Sequence, residues 1–158
     1  MIWIAIIVAG LVIDQLTKYI IKSNVRYGDL ITVINDFFYI THHENRGAAW
    51  GIFQDGRYFF IILTIILVAI LGYFLYKSQS KMLKTSLSII IGGAAGNFVD
   101  RVRTGEVVDF LDFYIGDYHF PTFNAADTFI VIGSIMLLIY MVFIYKEEES
   151  KEKEDTEE

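Results

Sequence analysis

Apolar positions in this chain come mostly in long unbroken runs. Residues 58–76 (YFFIILTIILVAILGYFLY) make a run of 19 without a charge, and residues 128–145 (TFIVIGSIMLLIYMVFIY) make one of 18. A bilayer core of roughly 30 Å needs about 20 mainly apolar residues in helical form, so both are predicted membrane spans. Two further runs are impure. Residues 2–22 contain Asp14 and Lys18, and residues 85–102 contain Asn97, Asp100 and Arg101; these are predicted as spans one and three. Span one lacks the basic start and small-residue cleavage pattern of a secretory leader, so it reads as a retained helix. Asp14 and Lys18 stand four apart with the acid first, which puts them on one helical face and predicts an ion pair turned towards the bundle interior or a polar boundary.

The connections carry the topology. Lys77, Lys81 and Lys84 crowd the link between spans two and three, whereas residues 104–124 contain neither Lys nor Arg. The positive-inside rule then places the two-three link and both termini in the cytoplasm, although Arg26, Arg46 and Arg57 lie in the first outer loop. Within that loop ITVINDFFYITHH predicts short strands, and NRGAAWGIF predicts an amphipathic turn or helix at the interface. In span three Gly92-x-x-x-Gly96 suits close approach of another helix.

Composition agrees with this picture: 54% of residues are apolar and the mean hydropathy is +0.47, against roughly 45–50% apolar residues in soluble domains. The length fits one domain over residues 1–145. The net charge of -6 is mostly that of residues 146–158, where three Lys face eight Asp and Glu. That segment reads as a disordered, solvated cytoplasmic tail, and the balance gives no basic surface for nucleic acid. With no cysteine, disulfides, thiolate catalysis and Cys-based metal sites are excluded. His42 and His43 are neighbours in an extended segment and point to opposite faces, so they are read as loop residues and not as a ligand pair. Ser86, Ser88 and Lys84 sit at the wrong end of span three for a Ser-Lys site in the outer cluster.

The chemistry-bearing residues gather at one membrane boundary. Asp100 and Arg101 end span three, Asp109 follows, Asn124 and Asp127 open span four, and Asn45 and Arg46 can reach the same level from the first outer loop. Two carboxylates close together beside hydrocarbon cannot both ionise easily, so a proton is shared, as in aspartic proteases. Asp127 near a helix start is favoured as the charged member by the helix dipole. On spacing alone Asp112 or Asp117 can replace Asp109, and Asp127 or Asn124 can be a plain helix cap. Asp100 and Arg101, adjacent and opposite in charge at a helix end, read as a structural or ligand-orienting ion pair and not as a catalytic dyad. A rival reading from another class is a proton-coupled transporter or ion-pathway subunit, which predicts acids spread through the membrane depth.

Taken together, DQLTK (14–18), NRGAAWGIF (45–53), GGAAGNFVDR (92–101), GEVVDF (105–110) and FNAAD (123–127) resemble the lipoprotein signal peptidase family, signal peptidase II, in order and spacing. The resemblance implies an all-α membrane protein of four transmembrane helices with a small extracytoplasmic β-cradle and an interfacial extracellular helix. It implies an intramembrane aspartic endopeptidase of the bacterial plasma membrane, monomeric and sensitive to globomycin. Such an enzyme cuts diacylglyceryl-modified prolipoproteins before the lipidated cysteine, in contact with membrane lipids. By the same resemblance Asp109 and Asp127 are catalytic, Asn45, Asn97, Arg101 and Asn124 hold substrate, and Asp14, Lys18 and Asp100 support them. No metal or organic cofactor is implied. Arg46 falls on a position taken to vary, and the tail lies outside the resemblance.

Overall fold

The computed structural model describes residues 1–47, 52–54 and 56–145. Its elements run α1 (Ile2–Asn24), β1 (Leu30–Ile34), β2 (Phe38–Asn45), α2 (Arg57–Lys77), α3 (Lys81–Arg103), β3 (Val107–Ile115), β4 (Tyr118–His119) and α4 (Ala125–Ile139), which continues as a π-helical turn at Tyr140–Ile144. Among the described residues four helices are long and apolar enough to cross a membrane, α4 together with its π-helical turn. The strands form one antiparallel sheet in the order β1-β2-β3-β4. Helices plus a sheet describe the chain better than "all-α". The strands expected in ITVINDFFYITHH are β1 and β2. Of the turn or helix expected at 45–53, Asn45 ends β2, 46–47 form a bend and 52–53 lie in a turn, while 48–51 lie outside the described residues, as does the tail at 146–158.

Two helices start earlier than their apolar runs suggest, α3 at Lys81 and α4 at Ala125. An apolar run marks the hydrocarbon, whereas a helix continues into the interface until a cap stops it. Lysine stems cover apolar surface on the way, and Asn124 caps α4. The unannounced strands are β3 and the two-residue β4. Val107 to Phe110 are all buried, so β3 is covered on both faces and shows no apolar-polar alternation to read.

Helix α3 is the centre of the bundle. It packs against α1, α2 and α4. Its small residues set the distances: a Cβ on Gly92 would stand 3.0 Å from the Ile7 carbonyl of α1, and one on Gly93 would stand 2.5 Å from the Ala126 carbonyl of α4. The sheet docks on the end of α1, where Val108 and Phe110 pack with Ile21 and Val25. Helix α2 turns most of its apolar side chains outward and buries only Leu71, and α1 and α4 also expose apolar faces.

Gly96 is the most sensitive of these contacts, because a Cβ there would overlap the Asp14 carboxylate. Asp14 is wholly buried and held at 2.8 Å by Lys18 and at 2.9 Å by the Ala126 amide, so it has nowhere to move. Gly96→Ala is expected to destabilise the protein by about 1–3 kcal/mol through overpacking. Gly72→Ala, on the open face of α2 with nothing within 4 Å, is the control and leaves the melting temperature unchanged or higher. Thermal unfolding in detergent checks both, and equal melting temperatures for the two variants would contradict the packing argument.

Candidate active site

Local structure at two chain reversals brings the polar residues together. Helix α3 ends where Thr104 and Gly105 both donate backbone hydrogen bonds to the Asp100 carbonyl, and Gly105, at φ 86, adopts the left-handed conformation that a following strand requires. The chain then enters β3 at Val107, two residues before Asp109. Helix α4 opens with a capping box: Asn124 is the N-cap and Asp127 the third helical residue. The cap reading of Asp127 and Asn124 is therefore correct, but it does not use all of their hydrogen-bonding capacity.

What remains links the two carboxylates. Asn124 Nδ2 donates to Asp109 Oδ1 at 2.6 Å, while Asn124 Oδ1 accepts from the Asp127 amide at 3.0 Å. Asp127 Oδ2 accepts in return from the Asn124 amide at 3.2 Å. One asparagine thus fixes the two acids relative to each other. Their remaining oxygens are also met by amides: Asn45 Nδ2 donates to Asp109 Oδ2 at 3.0 Å, and Asn97 Nδ2 donates to Asp127 Oδ1 at 2.7 Å. Asn45 is itself oriented by the Gly47 amide, which donates to its Oδ1 at 2.9 Å. Burial first, and then the negative charge of Asp127, push the Asp109 carboxyl up to about 7.

Behind Asn97 lies a buried charge cluster. Lys18 Nζ forms ion pairs with Asp14 Oδ2 at 2.8 Å and Asp100 Oδ2 at 2.7 Å and donates a hydrogen bond to Asn97 Oδ1 at 2.8 Å. The last contact decides which end of the Asn97 amide faces Asp127. Asp14 and Lys18 pair as their spacing predicts. Asp100 and Arg101 do not: neighbours on a helix point about 100° apart, so Asp100 turns to Lys18. Arg101 instead lies over the Phe60 ring, 4.7 Å from its centre, and donates to the Gly47 carbonyl at 3.2 Å.

A cavity of about 600 Å³ opens beside the two acids. Asn45, Asn97, Arg101, Asp109 and Asp127 form its polar side, and residues 120–123 with Ile130, Val131 and Ile132 form its apolar side. A mostly apolar pocket with a few convergent polar groups suits an extended, largely apolar ligand. The family model for signal peptidase (SPase) II matches residues 6–143. The chain belongs to the signal peptidase II family. It is 47% identical over 146 residues to the "Lipoprotein signal peptidase" of Bacillus pumilus (strain SAFR-032), covering 91% of this chain and 92% of the relative. Two solved structures of a bacterial membrane enzyme obtained by the in meso method are also similar. The one at 2.3 Å has a TM-score of 0.83 and 45% identity over 89% of this chain and 87% of the other. The one at 1.9 Å has a TM-score of 0.82 and 44% identity over 90% and 93%.

Within this signal peptidase II family member, the three loop acids separate. Asp109 lines the cavity, Asp112 is buried against His119 with Oδ1 2.6 Å from the ring, and Asp117 sits in the hairpin turn. Asn124 is wholly buried and acts on the carboxylates from behind. His42 points inward to the Val25 carbonyl and His43 is exposed; among the described residues no group of three potential metal ligands forms. Sequence reading overlooked Gln15, which bonds Asp100 Oδ1 at 3.0 Å and the Gly96 carbonyl at 3.2 Å, although it sits inside DQLTK. It also overlooked Phe60 beneath Arg101 and the 120–123 wall, which carry no local signal because their partners are distant in sequence.

Proposed function

We propose that this peptidase removes the signal peptide from diacylglyceryl-modified prolipoproteins, cleaving before the lipidated cysteine, with Asp109 and Asp127 as an aspartic dyad. The observation that carries the reading is the pair of buried carboxylates, tied through Asn124, on the wall of a largely apolar cavity. The pair shares one proton. The ionised carboxylate takes a proton from water as its oxygen attacks the scissile carbonyl, and the protonated partner gives its proton to the carbonyl oxygen. Collapse of the tetrahedral intermediate returns a proton to the leaving nitrogen of the cysteine and frees the signal peptide as a carboxylic acid. Asn45, Asn97 and Arg101 hold the peptide extended, since a helical peptide hides its carbonyls. Asn124 orients the acids.

Four apolar helices fit a multi-pass protein of the plasma membrane. In the proposed orientation both termini are cytoplasmic and the dyad lies at the extracytoplasmic boundary, with the signal helix and diacylglyceryl group in lipid. The same reading makes the enzyme a monomer, sensitive to globomycin and independent of metal or organic cofactors. Purified protein mixed with a prolipoprotein, lipidated or not, tests it. Shortening of the lipidated form alone, absent in Asp127→Asn, is expected. Equal cleavage of both forms would remove the lipid requirement, and cleavage by Asp127→Asn would remove the dyad.

A further inference from the structure

Asp112 is a buried carboxylate that this chemistry does not use. It is 3% exposed, and it lies three residues beyond Asp109 on β3, hence on the opposite face of the strand. Its neighbours on that face are Tyr39, opposite it on β2, and Tyr114, which pairs with His119 of β4. The His119 ring lies parallel to the Tyr114 ring, 8° apart in plane with centroids 4.4 Å apart, and its Nε2 meets Asp112 Oδ1 at 2.6 Å. The contact ties β4 to β3 by side chains, in addition to their backbone pairing.

The place of this pair in the chain gives it a second meaning. Strand β4 is only Tyr118–His119, and the next four residues, 120–123, form a wall of the cavity. The backbone of that strap is tied at its ends, where the Phe120 amide donates to the Phe113 carbonyl at 2.9 Å and Phe123 exchanges hydrogen bonds with Leu111 at 2.8 and 3.1 Å. Pro121 between them has no N–H to give. The end at Phe123 is fixed independently, because Asn124 follows at once and is locked to Asp109 and Asp127. The end at Phe120 depends on a two-residue strand, and the side chain that fastens that strand is His119.

We propose that the Asp112–His119 pair is a clamp that positions the 120–122 segment of the cavity wall, and so sets how tightly the substrate's apolar segment is bound. The inference rests on reading this cavity as the peptidase site. His119 is a positioning residue: it acts from the far side of the sheet through the strap, without reaching the reacting atoms. Because Phe123 and Asn124 are held separately, losing the clamp alters binding and spares the geometry of the acids.

The test is steady-state cleavage of a diacylglyceryl-modified prolipoprotein by full-length wild type, His119→Ala, His119→Gln and the double variant His119→Ala/Asp112→Asn. His119→Ala is expected to raise KM roughly three- to tenfold with kcat within about twofold. His119→Gln, whose amide can reach Asp112 as the ring nitrogen does, restores KM to within about twofold of wild type. The double variant leaves no unpaired buried charge, so it folds, and it shows the same raised KM. An unchanged KM in both His119→Ala and the double variant overturns the clamp, even if the melting temperature falls. A fall in kcat with KM constant overturns it too, because the pair would then act on the acids. Absence of cleavage by wild type itself would instead overturn the peptidase reading of the cavity, and the clamp's role with it.

Discussion

Asp109→Asn lowers kcat by at least about 10³-fold, the loss expected when one member of an acid-base pair can no longer exchange a proton. The change is nearly isosteric, so the fold survives it. Asn124 is oriented by the helix cap and presents its Nδ2 to position 109, where the new carbonyl oxygen accepts it. The new amino group then faces Asn45 Nδ2, and one hydrogen bond, worth about 1 kcal/mol, is lost. Set against that, a carboxyl that resists ionisation has gone. Burial and Asp127 raise Asp109 from 3.8 to about 7, so the folded protein holds this proton more tightly than the unfolded chain does. Stability therefore falls as pH rises from near 4 to near 7, and Asp109→Asn flattens that slope. Wild-type kcat/KM falls above about pH 7 as the dyad loses its shared proton, with apparent constants that belong to the pair. Activity that climbed steadily to pH 9, or a folded Asp109→Asn protein that still cleaved, would remove Asp109 from the mechanism.

Lys18→Met is the second large effect, and it acts on stability first. Lys18 is 3% exposed, and its ammonium is the cation between Asp14 and Asp100. Methionine fills the space but leaves two carboxylates and the Asn97 carbonyl facing one another with no cation between them, and the Gln15 amide and Ala126 N–H that remain cannot neutralise the charge. Removing one partner of a buried ion pair costs about 3–5 kcal/mol, far more than the net worth of the intact pair. A sharply lower melting temperature and a poor yield in the membrane fraction are expected. Lys18→Met with Asp14→Asn recovers part of the stability, because one unpaired charge is gone. Activity does not return with it. Asn97 is held towards Asp127 by Lys18, and without that contact its amide can rotate and turn a carbonyl to the carboxylate. A Lys18→Met protein that melted within a degree of wild type would show that Asp14 and Asp100 are stabilised by something else.

Much of the architecture was readable from the chain. Runs of 18 and 19 apolar residues mark helices because lipid offers backbone groups no partner, and two impure runs mark helices whose charges turn inward. Asp14 with Lys18 was readable because four residues is one helical turn. Harder to read were β3, buried on both faces, and the separation of Asp109 from Asp112. Both acids lie in a strand, both are buried, and nothing local distinguishes the one on the cavity from the one against His119. The neighbours Asp100 and Arg101 misled in another way, since adjacency in a helix does not make a pair.

By itself the sequence determined the helices, their order and the end of the bundle where polar residues collect, because these follow from length, hydropathy and spacing along one chain. Only the tertiary structure decided which polar groups meet. Asn124 joins Asp109 to Asp127, Lys18 reaches Asn97 from another helix, and Asp112 turns away to His119. Those that join different elements span 7 to 79 positions. Hydrogen bonds select partners by distance and angle within about 3 Å, and that geometry exists only after the helices and the sheet have packed.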